Sequence, residues 1–464
     1  MSPKMSGLPS VTSSPLLRPS STTGGISALK AQLDSPLANQ CLERPSTLRQ
    51  MSGTQSDYSV ASTTISETGS GSDSEKSSKT AMDTYEISIE HDFVSVDAEV
   101  NDVAQPLDSN IHLQSLSRKM TPSDFEPLKV LGKGSFGKVM LVRQKASGRL
   151  FAQKQLKKAS IVVHKKMVER TRTERAILEQ VNRHPFVVKL FYAFQDADKL
   201  YLILEYASGG ELFHHLSAER LFPEPTVSFY MAELVLAISH LHRNLGVVYR
   251  DLKPENCLLD SEGHLLLTDF GLSKVAVDED DRCKSFLGTV GYMAPEIIQE
   301  KEYGFAVDWW SLGVLGYDLL TGSCPWTGNN TKKIEENVVK KPLSVPYYVG
   351  PDAKDLFTRL LRKDPAKRLG SNMPKDLQTI KGHRFFKKWD WKKLEKREIE
   401  PPIRPFVGDP EDALNFDEEF TGMPLSPRPS EAEVCGSAKV MDDPFGGFSF
   451  VASSSFLESG QWGF

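Results

Sequence analysis

Cysteine is scarce in this chain. Its 464 residues include five, Cys41, Cys257, Cys283, Cys324 and Cys435, which are far apart and show no metal-ligand spacing. They fit a reducing compartment, where free thiols are the norm. Long apolar runs are also missing: none reaches the roughly 18 residues of a membrane span, and the N-terminus lacks the apolar core of a signal peptide. Nor does one sign of charge dominate. A net charge of −5 and a pI near 6.1 give no sign of nucleic-acid or membrane-surface binding. With 39% hydrophobic and 25% charged residues the composition suits a soluble protein, and a cytoplasmic or nuclear location is expected.

Length alone would allow two or three domains, but the composition is uneven. Residues 1–121 are rich in Ser, Thr, Pro and Gly, as in Thr12-Ser13-Ser14-Pro15 and Ser66-Glu67-Thr68-Gly69-Ser70-Gly71-Ser72. Such a stretch buries too little apolar surface to offset the entropy of ordering it, so a disordered regulatory region is expected. Ser2-Pro3, Ser14-Pro15 and Ser35-Pro36 are either sites for proline-directed phosphorylation or parts of an unmodified tether. Tyr85, Ile87 and Ile89 alternate with polar residues and Phe93-Val94-Ser95-Val96 follows, which reads as a short strand or docking segment, for a partner or as a flap on the folded domain, or as a stretch with no such role.

From Phe125 onward the sequence is patterned. Val130-Leu131-Gly132-Lys133-Gly134-Ser135-Phe136-Gly137-Lys138-Val139 reads as strand, glycine-rich turn, strand. Such glycines let a backbone close over phosphates where a Cβ would collide with them. A dinucleotide fold uses the same spacing ahead of a helix, but the β-rich Val139-Met140-Leu141-Val142 argues for a hairpin. Phe151-Ala152-Gln153-Lys154 then sets a lysine on the next strand, and Glu174 falls in a helical stretch from Val168 to Val181. Leu200 to Ala207 reads as the last strand of a small lobe running into a hinge. Thr226 to Arg243 reads as a buried helix, with Pro225 suited to its first turn. Val248-Tyr249-Arg250-Asp251-Leu252-Lys253-Pro254-Glu255-Asn256 places an aspartate, a lysine and an asparagine where they would orient a hydroxyl and hold a metal. Leu265-Leu266-Leu267-Thr268-Asp269-Phe270-Gly271, Ala294-Pro295-Glu296, Asp308-Trp309-Trp310-Ser311-Leu312-Gly313 and Asp364-Pro365-Ala366-Lys367-Arg368-Leu369-Gly370 follow in order.

Taken together, residues 125–386 resemble a eukaryotic protein kinase catalytic domain, with Tyr249 where most kinases have His. The resemblance implies an α+β, two-lobed fold: a small lobe dominated by an antiparallel sheet over a larger helical lobe, with ATP between them. It implies in-line transfer of the ATP γ-phosphoryl group, with Asp251 orienting the substrate hydroxyl and Lys253 steadying the transferred phosphate. Asn256 and Asp269 would hold Mg2+. Leu131, Gly132, Gly134, Gly137 and Val139 would enclose the nucleotide, Lys154 would bind the α- and β-phosphates while paired with Glu174, and backbone groups of Glu205 and Ala207 would bond the adenine. Leu204 would be the gatekeeper, and Glu211 would lie near the ribose and the substrate channel. Phe270 would set the active or inactive state, Glu296 would pair with Arg368, and Asp308 would brace the catalytic loop. Lys253 within Asp-Leu-Lys-Pro-Glu-Asn points to serine/threonine specificity, and Leu272 leans toward serine. Two other classes share parts of this pattern. A pseudokinase scaffold normally lacks one of Lys154, Asp251 or Asp269, and a dinucleotide-binding oxidoreductase is contradicted by Val139 to Val142.

Residues 387–457 narrow the group. Ile403-Arg404-Pro405-Phe406 and Asn415-Phe416-Asp417-Glu418-Glu419-Phe420 resemble the C-terminal extension of AGC kinases, whose phenylalanines reach toward the nucleotide. Ser426-Pro427 resembles the turn-motif phosphosite. Phe445-Gly446-Gly447-Phe448-Ser449-Phe450 resembles the hydrophobic motif, whose aromatics would fill a small-lobe groove. The continuation through Val451 to Ser459 is similar to ribosomal protein S6 kinases. Two-kinase relatives carry a second catalytic domain after it, whereas here residues 458–464 read as a short tail, so a single-kinase, monomeric enzyme is expected. The resemblance further implies phosphorylation of Ser285 by a phosphoinositide-dependent kinase and of Ser449 by a target-of-rapamycin complex, and protein substrates with arginines upstream of the target Ser or Thr. Glu211, Glu255 and Asp318 match acidic positions that read those arginines. Leu287 replaces the usual cysteine, and Gly291 replaces the usual glutamate before Tyr292, which bears on basic residues far upstream.

Overall fold

The computed structural model describes residues 119–134, 137–181, 184–275, 283, 288–373, 375–425, 444–453 and 457. The expected Tyr85–Val96 segment, Ser285, Leu287 and Ser426 lie outside them.

Runs of buried and half-buried residues make up the strands of the small lobe. β1 (Phe125–Gly134), β2 (Gly137–Gln144), β3 (Leu150–Lys157), β4 (Leu190–Gln195) and β5 (Lys199–Leu204) form an antiparallel sheet. Its strand order is β1-β2-β3-β5-β4, and a sixth strand lies beyond β4. One face carries an aromatic cluster of Phe125, Phe151, Phe191, Tyr192, Phe194 and Tyr201. Two helices connect β3 to β4: α1 (Lys158–Val162), which the pattern did not announce, and α2 (Lys165–Val181), three residues longer at its start than expected.

The chain leaves β5 at Leu204, so Glu205 to Ala207 form a linker rather than more strand. It then pairs β6 (Gly210–Glu211) with β8 (Cys257–Leu259), and β8 with β9 (Leu265–Leu267). Helix α3 (Leu212–Glu219) leads to α4 (Glu224–Asn244), which is buried along most of its length because apolar residues occupy nearly its whole circumference. Short β7 (Val247–Val248) pairs with β10 (Lys274–Val275) and frames the loop between them. Beyond it come α5 (Pro295–Ile298), α6 (Ala306–Thr321), α7 (Thr331–Lys340), α8 (Pro351–Leu360), α9 (Lys375–Lys381) and α10 (Trp391–Glu395). These helices close a large apolar core around α4 and α6. The fold is mixed α+β: an antiparallel-sheet lobe and a helical lobe.

The tail returns to the sheet lobe. Lys129 Nζ donates to Asp412 O at 2.7 Å, and α11 (Glu418–Thr421) lies beside β1. At Gly210, whose φ is +74°, a Cβ would come 2.0 Å from Asn415 O, so the tail's close approach requires glycine there. The final segment supplies β11 (Phe450–Val451), antiparallel to β4 through Phe450↔Ala193 and Val451↔Tyr192. β5 is therefore not the last strand of the small lobe. Two residues of backbone pairing carry no pattern of their own, and the site for them exists only once β4 lies at the sheet edge.

Candidate active site

The glycine-rich turn between β1 and β2 has two kinds of glycine. At Gly137 a Cβ would strike Gln155 O at 1.8 Å, so β3 itself demands glycine. At Gly132 and Gly134 a Cβ would meet nothing within 4 Å. Protein packing does not demand glycine at those two, and a phosphate-bearing ligand held close to the backbone would. Leu131 and Val139 flank them in an apolar cluster with Ala152, Tyr206, Ala413 and Phe416. Tyr206 stacks on Phe416 at 6.0 Å and donates to Pro410 O, so the tail covers the linker side of this cluster. Phe406, the other phenylalanine of that stretch, is exposed.

On β3, Lys154 Nζ lies 2.6 Å from Glu174 Oε1 on α2 and 3.0 Å from Asp269 Oδ1. Burial alone would push the Lys154 ammonium down, but Asp269 and Glu174 outweigh it and raise its pKa above the ordinary lysine value. The charge of Lys154, ahead of opposing burial, holds the Asp269 carboxyl below its usual range. Asp269 adopts φ +58° and keeps 49% of its side chain exposed, so its carboxylate faces open space rather than core. Burial pushes Glu174 the other way, upward.

The 248–256 loop is built on Asp308 of α6. That fully buried carboxylate accepts from Tyr249 N and Arg250 N at 2.8 Å each and pairs with His242 Nε2 at 2.7 Å. Arg250 is held at φ +72°. Asp251 follows, with Asn256 Nδ2 donating to its Oδ2 at 2.9 Å and to its backbone O at 2.8 Å. Lys253 Nζ lies 3.1 Å from Asp251 Oδ2 and 3.2 Å from Thr289 Oγ1. Burial raises the Asp251 pKa against the opposing effect of Lys253. Tyr249 packs edge-on to Phe270 at 5.3 Å, and its hydroxyl donates to Thr268 O, ahead of Asp269. The chain thus brings Lys154, Glu174 and Asp269 together, and Asp251, Lys253 and Asn256 together.

Other expected positions are spread around these groups. Glu205 begins the linker, and Glu211 ends β6 immediately before α3. Asp318 accepts from the Tyr292 hydroxyl at 2.5 Å, and burial raises its pKa with a further push from Glu255. Glu255 Oε2 is buried with no hydrogen-bond partner among the described residues. A Cβ at Gly291 would come 3.2 Å from Cys324 Sγ. Arg368 bonds Glu296 at two points, 2.6 and 2.9 Å. Phe445 and Phe448 are buried, and Arg175 of α2 donates to Ser449 O at 3.1 Å and lies 5.5 Å over the Phe450 ring. Sequence reasoning passed over two charged groups, Lys189 and Arg170. Each sits in an ordinary-looking run, and only folding shows what it faces.

Comparison with known proteins accords with this geometry. The family described as protein kinase domain matches residues 125–386, and the protein kinase C terminal domain matches residues 407–450. Ribosomal protein S6 kinase 2 alpha of Gallus gallus is 46% identical over 374 residues, covering 80% of this chain and 48% of that protein. Ribosomal protein S6 kinase alpha-1 of Homo sapiens is 48% identical over 353 residues, covering 75% and 47%. Ribosomal protein S6 kinase alpha-6 of Danio rerio is 48% identical over 351 residues, covering 75% and 46%. The chain spans about half the length of the curated relatives it matches. It belongs to the protein kinase family, with the protein kinase C terminal domain following the catalytic domain.

Proposed function

We propose that this chain is a serine/threonine protein kinase that moves the γ-phosphoryl group of ATP to hydroxyls of arginine-containing proteins. The observation carrying the reading is the Lys154 ammonium shared between Glu174 and Asp269, which joins β3, α2 and the 265–271 segment at one point. A lysine held there binds phosphate oxygens, and glycines with open space before them let the β1–β2 turn approach the same phosphates.

Asp251 accepts the hydrogen of the substrate hydroxyl and aims its oxygen, while Lys253 counters charge on the phosphoryl group in flight. The P–O bond to the leaving diphosphate breaks as the new one forms. Asn256 and Asp269 fit magnesium: both offer hard oxygen donors, and so small a donor set leaves room for phosphate and water ligands. When bound, the ion neutralises charge on the phosphate oxygens. Among the described residues no cluster of three His, Cys, Asp or Glu offers a self-sufficient metal cage.

Substrate arginines suit Glu255, whose buried Oε2 has no hydrogen-bond partner among the described residues and whose charge helps raise the Asp318 pKa after burial. An unmet carboxylate oxygen favours a guanidinium over water. Regulation is proposed on the same footing. Burial, and after it the charge of Arg250, lowers the Arg170 pKa, which supports phosphate at Ser285, placed by a phosphoinositide-dependent kinase. Phosphorylation of Ser449 by a target-of-rapamycin complex would favour the docked tail, placing the enzyme in growth signalling in the cytoplasm or nucleus. A serine-peptide array with arginine at each upstream position tests the substrate class: preference for arginine near the target supports it, and indifference to arginine refutes it.

A further inference from the structure

Lys189 stands immediately before β4 and is only 2% exposed, yet no step of the proposed transfer uses it. Its Nζ lies 2.8 and 2.9 Å from the two carboxylate oxygens of Glu205. The Glu205 N–H in turn donates to Lys189 O at 2.9 Å. Backbone and side chain therefore join the same two residues. Burying an ammonium is unfavourable unless its charge and donors are met, and Glu205 meets them with both oxygens.

Both ends of this lock matter. Glu205 is the first residue after β5 and the start of the linker between the lobes. On the other side, Val188 N donates to Leu267 O and Leu267 N to Phe186 O, each at 3.0 Å, with Val187 bridged to Leu267 in parallel. Leu267 ends β9, two residues before Asp269. Residues 186–189 thus tie the strand leading to Asp269 to the linker that would receive the adenine.

We infer that Lys189 is a positioning residue for the nucleotide, setting the distance between its adenine end at Glu205 and its phosphate end at Asp269. The inference rests on the kinase reading. In a Lys189→Met protein the side chain keeps a similar length, but both Glu205 oxygens lose the ammonium they accept from. The carboxylate turns toward water and shifts the peptide that follows, between Glu205 and Tyr206. The bond from Glu205 N to Lys189 O survives, so the lobe keeps its fold while the adenine contact drifts.

The test uses the full chain, with a fluorescent ATP analogue for binding and steady-state kinetics for ATP and a serine peptide. Lys189→Met is expected to raise the Kd and the KM for ATP about tenfold, while the KM for peptide and kcat stay within about twofold. Glu205→Gln, which keeps the shape but weakens the bond, should shift ATP affinity in the same direction by less. A lowered melting temperature with unchanged ATP affinity would reduce the pair to a structural role and overturn the inference. Should Lys189→Met fail to fold, Glu205→Gln decides, and unchanged ATP affinity there overturns it equally. Failure of the unaltered chain to bind the analogue would instead strike the kinase reading itself.

Discussion

Replacing Asp308 by Asn tests how the fold places Asp251, the residue proposed to orient the substrate hydroxyl. The native carboxylate is fully buried and satisfies Tyr249 N and Arg250 N at 2.8 Å each, and His242 Nε2 at 2.7 Å. Asparagine keeps the volume but has one acceptor oxygen, so its amide nitrogen must face a backbone N–H. One donor is orphaned at about 1–3 kcal/mol, and the bonds that remain lose their charge assistance, giving a total near 3 kcal/mol. The freed donor lies at or beside Arg250, whose positive φ is held in place by this network and leads directly into Asp251. Misplacement by about 1 Å there costs roughly a hundredfold in kcat. Denaturant titration and steady-state kinetics of Asp308→Asn should show both losses, with the KM for ATP little changed. A stable variant whose kcat stays within about threefold would refute the reasoning.

Other predictions follow from burial and docking. His184 is buried beside His240, and burial depresses its pKa to about 3 from 6.5. The unfolded chain therefore binds the proton that the folded one refuses, and stability falls as pH drops below 6.5 toward about 3. Between pH 7 and pH 5 this group removes about 2 kcal/mol, and His184→Asn, which keeps an acceptor for Phe186 N, should lessen that loss in paired urea titrations. An unchanged pH slope would contradict it. Phe448 is 3% exposed against the main core. Its truncation to Ala forfeits up to about 3–5 kcal/mol, enough to undock a short tail segment. Tail proteolysis should quicken and peptide phosphorylation should fall. A tail as protected as in the unaltered chain would count against the docking energy.

Legibility followed locality. The β1–β2 glycine turn, Lys154, the 248–256 loop and Asp269 could be read because their chemistry constrains residue type at fixed spacing. The pairing of Arg368 with Glu296 came from the family resemblance and was found in the structure. What escaped depends on distant contacts. Nothing near Lys189 announces that Glu205 will fold against it. Strand β11 has no signature, because its hydrogen-bond partners belong to the edge of β4. The separate helix α1 escaped because its five residues mix β-branched and polar types, which give too short a window for a helical period. Tyr249 looked like a simple departure from the usual histidine, whereas its ring braces Phe270 and its hydroxyl holds the backbone before Asp269.

The most direct measurement is transfer of radiolabelled γ-phosphate from ATP to an arginine-containing serine peptide, run beside an Asp251→Asn protein. The account predicts transfer by the native chain, its loss in the variant, and equal binding of ATP by both, since Asp251 acts on the hydroxyl and not on the nucleotide. Equal transfer by the two proteins, or ATP binding without transfer by the native chain in its fully phosphorylated state, would contradict it.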